Sequence, residues 1–178
     1  HTRVYRVGSG GSRIAKQFFP LTAAWKARSL NRTLHFDAVW AMMTYMLMPA
    51  ELARMFGVKA PRVLTLQDGD PYGKVFGRAF IKPFLPLLGR GFRTTQIVQV
   101  ISKYLATWPA LRGYRGEVVL IKNGANPRDL KESFSPEEVE ETKRELGKKE
   151  GDIYLINTSR LVHQRGFGTA IEALTQLP

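Results

Sequence analysis

Two arginines, Arg160 and Arg165, sit in the polar stretch Ser159-Arg160-Leu161-Val162-His163-Gln164-Arg165-Gly166. It follows a short apolar run, Ile153 to Ile156, whose length and composition predict a buried strand. A helical pattern starts near Gly168. The first turn of a helix exposes unpaired N–H groups at the positive end of its dipole, so it favours an anion. Guanidinium groups beside it add fixed charge and forked donors that match phosphate oxygens. Strand, basic loop and helix together would form one wall of a phosphate site. A solvated loop with two surface arginines accounts for the same residues equally well, because a single strand–loop–helix turn is a weak motif.

A second set of residues able to do chemistry is Gln67-Asp68-Gly69-Asp70-Pro71, at the end of the apolar run Arg62 to Leu66. In an open α/β sheet, ligands bind outside the carboxyl ends of the strands. Two carboxylates there could act as acid, base or acceptor for a sugar hydroxyl. The alternative is an Asp-Gly/Asp-Pro turn whose side chains cap backbone groups.

Around these sites the chain alternates between short apolar runs and helical patterns. Val4 to Val7 alternates as a strand end does, and Gly8 to Ser12 reads as a flexible connector rather than a phosphate cradle. Ile14 to Leu34 is helical, with Pro20 expected to interrupt it and Phe18, Phe19 and Trp25 to pack on a sheet. Phe36 to Trp40 reads as a buried strand, and Thr44 to Phe56 as a helix stopped by Gly57. All five methionines lie between Met42 and Met55, and core packing explains them better than a binding face. Val75 to Leu88 reads as one long basic amphipathic helix, shortened or kinked by Pro83 and Pro86. Its mixture of aromatics with Arg78 and Lys82 suits a membrane interface, and an ordinary sheet-covering helix equally well. Gln96 to Ile101 is a strand with Ser102 as the next helix's N-cap, and Val118 to Ile121 is another strand. Asn123-Gly124 suggests a turn with positive φ. Ser135-Pro136-Glu137-Glu138 carries an N-cap, a proline at the first helical position and a capping-box glutamate, and Gly147 supplies the stop.

Several of these blocks resemble the group 1 glycosyltransferases (glycosyltransferase family 4). Ser159-Arg160-Leu161-Val162 followed by Arg165-Gly166 is similar to the family's "GRLv-x-x-KG" segment, and Val119 to Asn126 (VLIKNGAN) to its "v-v-i-P-N-G-v-D" segment. A charged helix lies between them, as in the family, and the strand-then-serine block at Ile101-Ser102 is also similar. The resemblance implies that Arg160 and Arg165 bind the diphosphate of a nucleotide-sugar donor. At Arg165 the charge is kept but the shape of lysine is not. It implies that Gln67 and Asp68 lie near the donor sugar or the acceptor. Gln67 stands about where the family often has histidine, and glutamine does no acid–base work. Asn123 and Gly124 would form the loop at the crossing between domains.

The alternation argues for a doubly wound parallel α/β sheet. The resemblance refines this to a GT-B fold, with residues 1–126 as the acceptor-side Rossmann-like domain. Residues 127–178 would be the interdomain helix and the first strand–helix unit of the donor domain. The family's downstream E-x7-E motif has no place in these residues, so an incomplete chain is expected, inactive by itself. The implied activity is retaining sugar transfer from a nucleotide sugar to an acceptor hydroxyl of a glycan or lipid-linked molecule, in envelope glycan or glycolipid synthesis. No catalytic residue is assigned. A non-catalytic basic α/β module docking on anionic lipid or a protein partner is the rival reading.

Composition narrows the classes. There is no cysteine, so disulfides and thiolate metal sites are excluded. The three histidines are scattered without zinc spacing, and neither metal nor cofactor is expected. The longest uncharged run, Ala38 to Ala50, is shorter than the roughly 20 residues that span a bilayer. The formal charge is +12 and uneven: residues 1–131 hold 21 Lys and Arg against 6 Asp and Glu, residues 132–178 hold 6 against 9. Such a basic half calls for an anionic partner. Single spacing of the cations and the lack of an RNA-binding signature disfavour nucleic acid and favour peripheral contact with anionic lipid. A cytoplasmic location, at the inner face of the membrane, is the matching expectation.

Overall fold

The computed structural model describes residues 2–8, 13–125, 134–162 and 165–176. The chain divides into two compact units, His1–Gly124 and Ala125–Pro178. Most of the Gly8–Ser12 connector, Asn126 of the VLIKNGAN block, and His163 and Gln164 lie outside the described residues.

The first unit is α/β. Its elements are α1 (Arg13–Leu34), β1 (Val39–Met42), a 3-10 turn (Thr44–Met46), α2 (Leu47–Met55), β2 (Arg62–Leu66) and α3 (Tyr72–Gly77). A second 3-10 turn (Lys82–Phe84), α4 (Leu85–Arg93), β3 (Ile97–Val100), α5 (Lys103–Ala106), α6 (Trp108–Leu111) and β4 (Glu117–Leu120) follow. The four strands are all parallel and lie in the order β1-β2-β3-β4. Parallel neighbours need crossover connections, which here run through helices, as in a Rossmann-like sheet. The winding proceeds in one direction, and the described strands include no reversal of order.

In parallel register Ala41, Leu64 and Val98 share one face of the sheet, as do Leu66 and Val100. All five are buried, and they form the main core with Leu47, Phe76, Leu88, Phe92, Leu105 and Trp108. The opposite face is barer: Trp40 is 65% exposed, and Met42 and Ile97 are also exposed. Across it Trp40 Nε1 donates to Thr65 Oγ1 (2.8 Å), which donates to Gln99 Oε1 (2.9 Å). A small second core of Ala24, Ala53 and Val58 joins α1 to α2.

Several expected elements change. Val4–Val7 forms no strand. Helix α1 runs through Pro20 without interruption, at the cost of the amide that proline lacks. Phe18 and Trp25 are exposed, and Trp25 touches Phe56 of the α2 C-cap (ring centroids 5.6 Å) rather than the sheet. Strand β1 starts three residues later than Phe36, whose amide is held by Asn31 Oδ1 (2.9 Å). Met46 and Met48 pack against the core, but Met42, Met43 and Met55 are exposed. The long helix over Val75–Leu88 is broken, because Arg78 adopts an extended conformation (ψ 132°) after Gly77. Gly57 does end α2, at φ 103°.

In the second unit, Ser135 caps α7 (Pro136–Glu145) through the Glu138 amide, and the Glu138 carboxylate accepts from the Ser135 amide (2.7 Å). Helix α8 spans Phe167–Leu174. The expected strand Ile153–Ile156 is not one: no strand is assigned among the described residues of this unit. A run of apolar residues becomes a strand only by pairing its backbone with another, and Ile153, Leu155 and Ile156 are instead exposed.

Candidate functional site

In the first unit, the carboxyl ends of β1 and β2 bring Gln67 and Asp68 beside Met43 and Thr44. The Asp68 carboxylate accepts from the Thr44 amide (3.1 Å) and from Thr44 Oγ1 (3.0 Å), and Thr44 is fully buried. Asp68 is thus tied to the backbone that opens the first 3-10 turn, a contact across 24 residues. Met43, one residue earlier, has φ 71° and ψ 154°, a conformation rare for a side-chain-bearing residue. Its amide donates to Thr65 O (2.8 Å), so β2 holds the bend. Backbone held in such a region gathers at ligand-binding ends of folds. Reasoning from the sequence missed Met43 and Thr44, since a φ sign and a contact 24 residues away leave no local signature.

The two aspartates differ. Burial pushes the Asp68 carboxyl up from its ordinary value, against the hydrogen bonds from Thr44 that pull it down. Asp70 is pulled down, first by its hydrogen bond from Lys74 (2.8 Å), and Arg78 also pairs with it (2.7 Å). Arg78 further lies over the Tyr45 ring (5.8 Å), whose hydroxyl donates to Val75 O (2.8 Å).

A raised folded-state pKa means that Asp68 costs stability when ionised. Its contribution is complete below the ordinary carboxylate value of 3.8 and is lost as pH rises through the raised folded value. Asp68→Asn keeps an acceptor for Thr44 and removes the charge. The variant should match the parent near pH 3.5 and exceed its urea midpoint at pH 7. A difference between them that does not change with pH would contradict the burial account.

In the second unit, Arg160 and Arg165 both lie exposed in the chain leading to α8. The Val162 amide donates to Arg160 O (2.8 Å), and the Arg165 amide to Val162 O (2.9 Å). Gly166, the N-cap of α8, has φ 72°, a left-handed conformation that costs glycine little. Its carbonyl accepts the first helical bond, from Ala170 (2.9 Å), and no side chain caps the helix start. Among the described residues neither guanidinium has an ion-pair partner. Elsewhere in this unit an apolar hollow of about 460 Å³ lies between α7 and Tyr154–Ile156, apart from both arginines.

Asn123 and Gly124 are exposed and follow β4. Gly124 is not among the glycines of positive φ, so the expected left-handed turn is absent there. The Ile121 amide still donates to Val100 O (2.9 Å), which keeps the chain extended past β4.

No group of three or more His, Cys, Asp or Glu among the described residues is placed to hold a metal ion. No described helix is long and apolar enough to cross a membrane. The chain matches no protein-family model and no curated protein. What the structure defines is the class: an α/β protein whose four-stranded parallel sheet is flanked by helices, as in Rossmann-like folds.

Proposed function

We propose that this chain is part of a retaining group 1 glycosyltransferase of GT-B architecture, acting on a nucleotide-sugar donor and a glycan or lipid-linked acceptor hydroxyl. In this reading residues 1–126 serve the acceptor side and residues 127–178 the donor side. Arg160 and Arg165 would neutralise the charge that builds on the departing nucleoside diphosphate, the electrostatic part of such a transfer. One observation carries the reading. Two exposed guanidiniums, without an ion-pair partner among the described residues, precede a helix whose start has no side-chain cap among them. Free N–H groups and forked cations are the two donors a diphosphate needs.

Asp68 fits a supporting role, because its carboxylate is engaged by Thr44. Gln67, half-exposed like Asp68, would then be the one to meet a sugar hydroxyl in this reading. Donor and acceptor would be the only ligands this chemistry requires, without metal or cofactor.

In a glycosyltransferase carrying this segment, Arg160→Ala should weaken nucleoside-diphosphate binding by about 1–3 kcal/mol, the scale of a charged hydrogen bond. Titration calorimetry reads this directly. Unchanged affinity would remove Arg160 from the site.

The rival, a non-catalytic basic module, draws support from charge. Between Pro71 and Gly116 the chain has eight Lys and Arg and no Asp or Glu.

A further inference from the structure

The break between α3 and α4 sorts the aromatics of this segment by exposure. Val75, Phe76 and Ile81 are buried in the core at 2–3% exposure, and Leu88 and Phe92 are fully buried. Phe80 is 64% exposed and Phe84 47%, and Ala79, Lys82, Pro83 and Pro86 are exposed with them. The helix-breaking Arg78 and the 3-10 turn at Lys82–Phe84 therefore create a short apolar protrusion rather than a packed helix face.

We propose that this protrusion docks the protein on an anionic phospholipid surface, with Phe80 and Phe84 entering the headgroup–acyl boundary and Lys82 meeting lipid phosphates. Three features on the molecule select that occupant. Large apolar side chains held out in water are stabilised by any medium that removes them from it. Along the chain from Asp70 to Pro86 the charges are cationic: Lys74, Arg78 and Lys82 against one carboxylate, Asp70, which Lys74 and Arg78 share. Lys82 has no ion pair among the described residues, so its charge is available to a lipid. A basic surface with protruding aromatics is what interfacial binding requires. Nucleic acid is the weaker fit, because the exposed side chains between Ala79 and Phe84, apart from Lys82, offer no hydrogen bond to a base edge. The inference stands on the first unit alone and does not depend on the diphosphate site.

The test is co-sedimentation of the full chain, without nucleotide, with vesicles of phosphatidylcholine alone or mixed with phosphatidylglycerol. Binding to the anionic vesicles and little to the neutral ones is expected. Phe80→Ser/Phe84→Ser should lower the partition coefficient about tenfold, from the apolar area withdrawn. Lys82→Glu should lower it roughly tenfold at low salt and less at high salt. Phe80→Trp/Phe84→Trp should retain it. All the substituted side chains are exposed, and the far-UV circular dichroism should be unchanged. Equal binding to both vesicle types, no binding, or binding indifferent to Phe80→Ser/Phe84→Ser would overturn the proposal. So would a preference for a homopolymeric RNA that the serine variant leaves intact.

Discussion

Glu51→Ala should destabilise the first unit by about 3–5 kcal/mol, the range found when one partner of a buried ion pair is removed. Glu51 is fully buried in α2, and Arg62, the first residue of β2, is 2% exposed. Their carboxylate and guanidinium meet at 2.8 Å (Oε2 to Nη1). Thr94 Oγ1 donates to the same oxygen (2.8 Å), and Arg62 Nη2 donates to Gly91 O (3.2 Å) and to Thr94 Oγ1. Arg90 Nε approaches Oε1 at 2.9 Å as an ion pair, although it does not meet hydrogen-bond geometry. Burial draws the Arg62 pKa down and Glu51 draws it back up. Without Glu51, Arg62 becomes a charge in the interior with only carbonyl and hydroxyl partners. Replacing both residues, Glu51→Leu with Arg62→Met, should recover much of the loss, since desolvation offsets the attraction of such pairs. Urea unfolding followed by circular dichroism measures both. A loss below about 1 kcal/mol for Glu51→Ala, the scale of an exposed pair, would mean that water reaches the cluster.

Trp108→Ala should cost a similar amount, about 3–5 kcal/mol. Trp108 has no exposed surface. It packs edge-on against Tyr72 (5.5 Å), Phe76 (5.7 Å) and Tyr104 (5.8 Å). The guanidinium of Arg112 covers Phe76 (4.0 Å) and Tyr72 (5.1 Å) from another direction. This aromatic cluster fastens the turn of α5 and α6 to α3, the helix that follows the Asp68 loop. Trp108 Nε1 is buried without a hydrogen-bond partner among the described residues, so the contribution comes from packing. Trp108→Phe should therefore lose only about 1 kcal/mol. Equal losses for alanine and phenylalanine would show that the indole N–H matters after all.

What was legible in the sequence was local. The apolar run Arg62–Leu66 became β2 without adjustment, and Ser102 and Ser135 cap α5 and α7 as their spacing predicts. Each of these signals is complete within a few residues. The parallel α/β class followed from the alternation of runs. Illegible features depended on distant partners. Arg62 sits in a strand that reads as apolar, and only Glu51 and Thr94 make its burial tolerable. Asp68 is equally uninformative until Thr44 is found beside it. Ile153–Ile156 has the composition of a strand, but composition cannot supply the neighbour that pairing needs. Pro83 and Pro86 signalled a disturbed helix, yet the break falls earlier, at Gly77–Arg78, and thereby exposes Phe80 and Phe84.

The candidate site divides in the same way. The arginines and the helix start behind them are near neighbours in sequence, so their adjacency along the chain was visible. The clamp of Asp68 by Thr44 and the bend at Met43 were not, because they join the ends of two strands.

The central claim is that the loop before α8 binds a diphosphate, and amide chemical shifts test it most directly. The 15N-labelled chain would be titrated with inorganic pyrophosphate and then with nucleoside diphosphates, and its ¹H–¹⁵N spectrum followed. The predicted result is a saturable shift confined to the amides from Ser159 to Ala170, lost in Arg160→Ala and Arg165→Ala. No shift there, or a shift that survives both substitutions, would contradict the account.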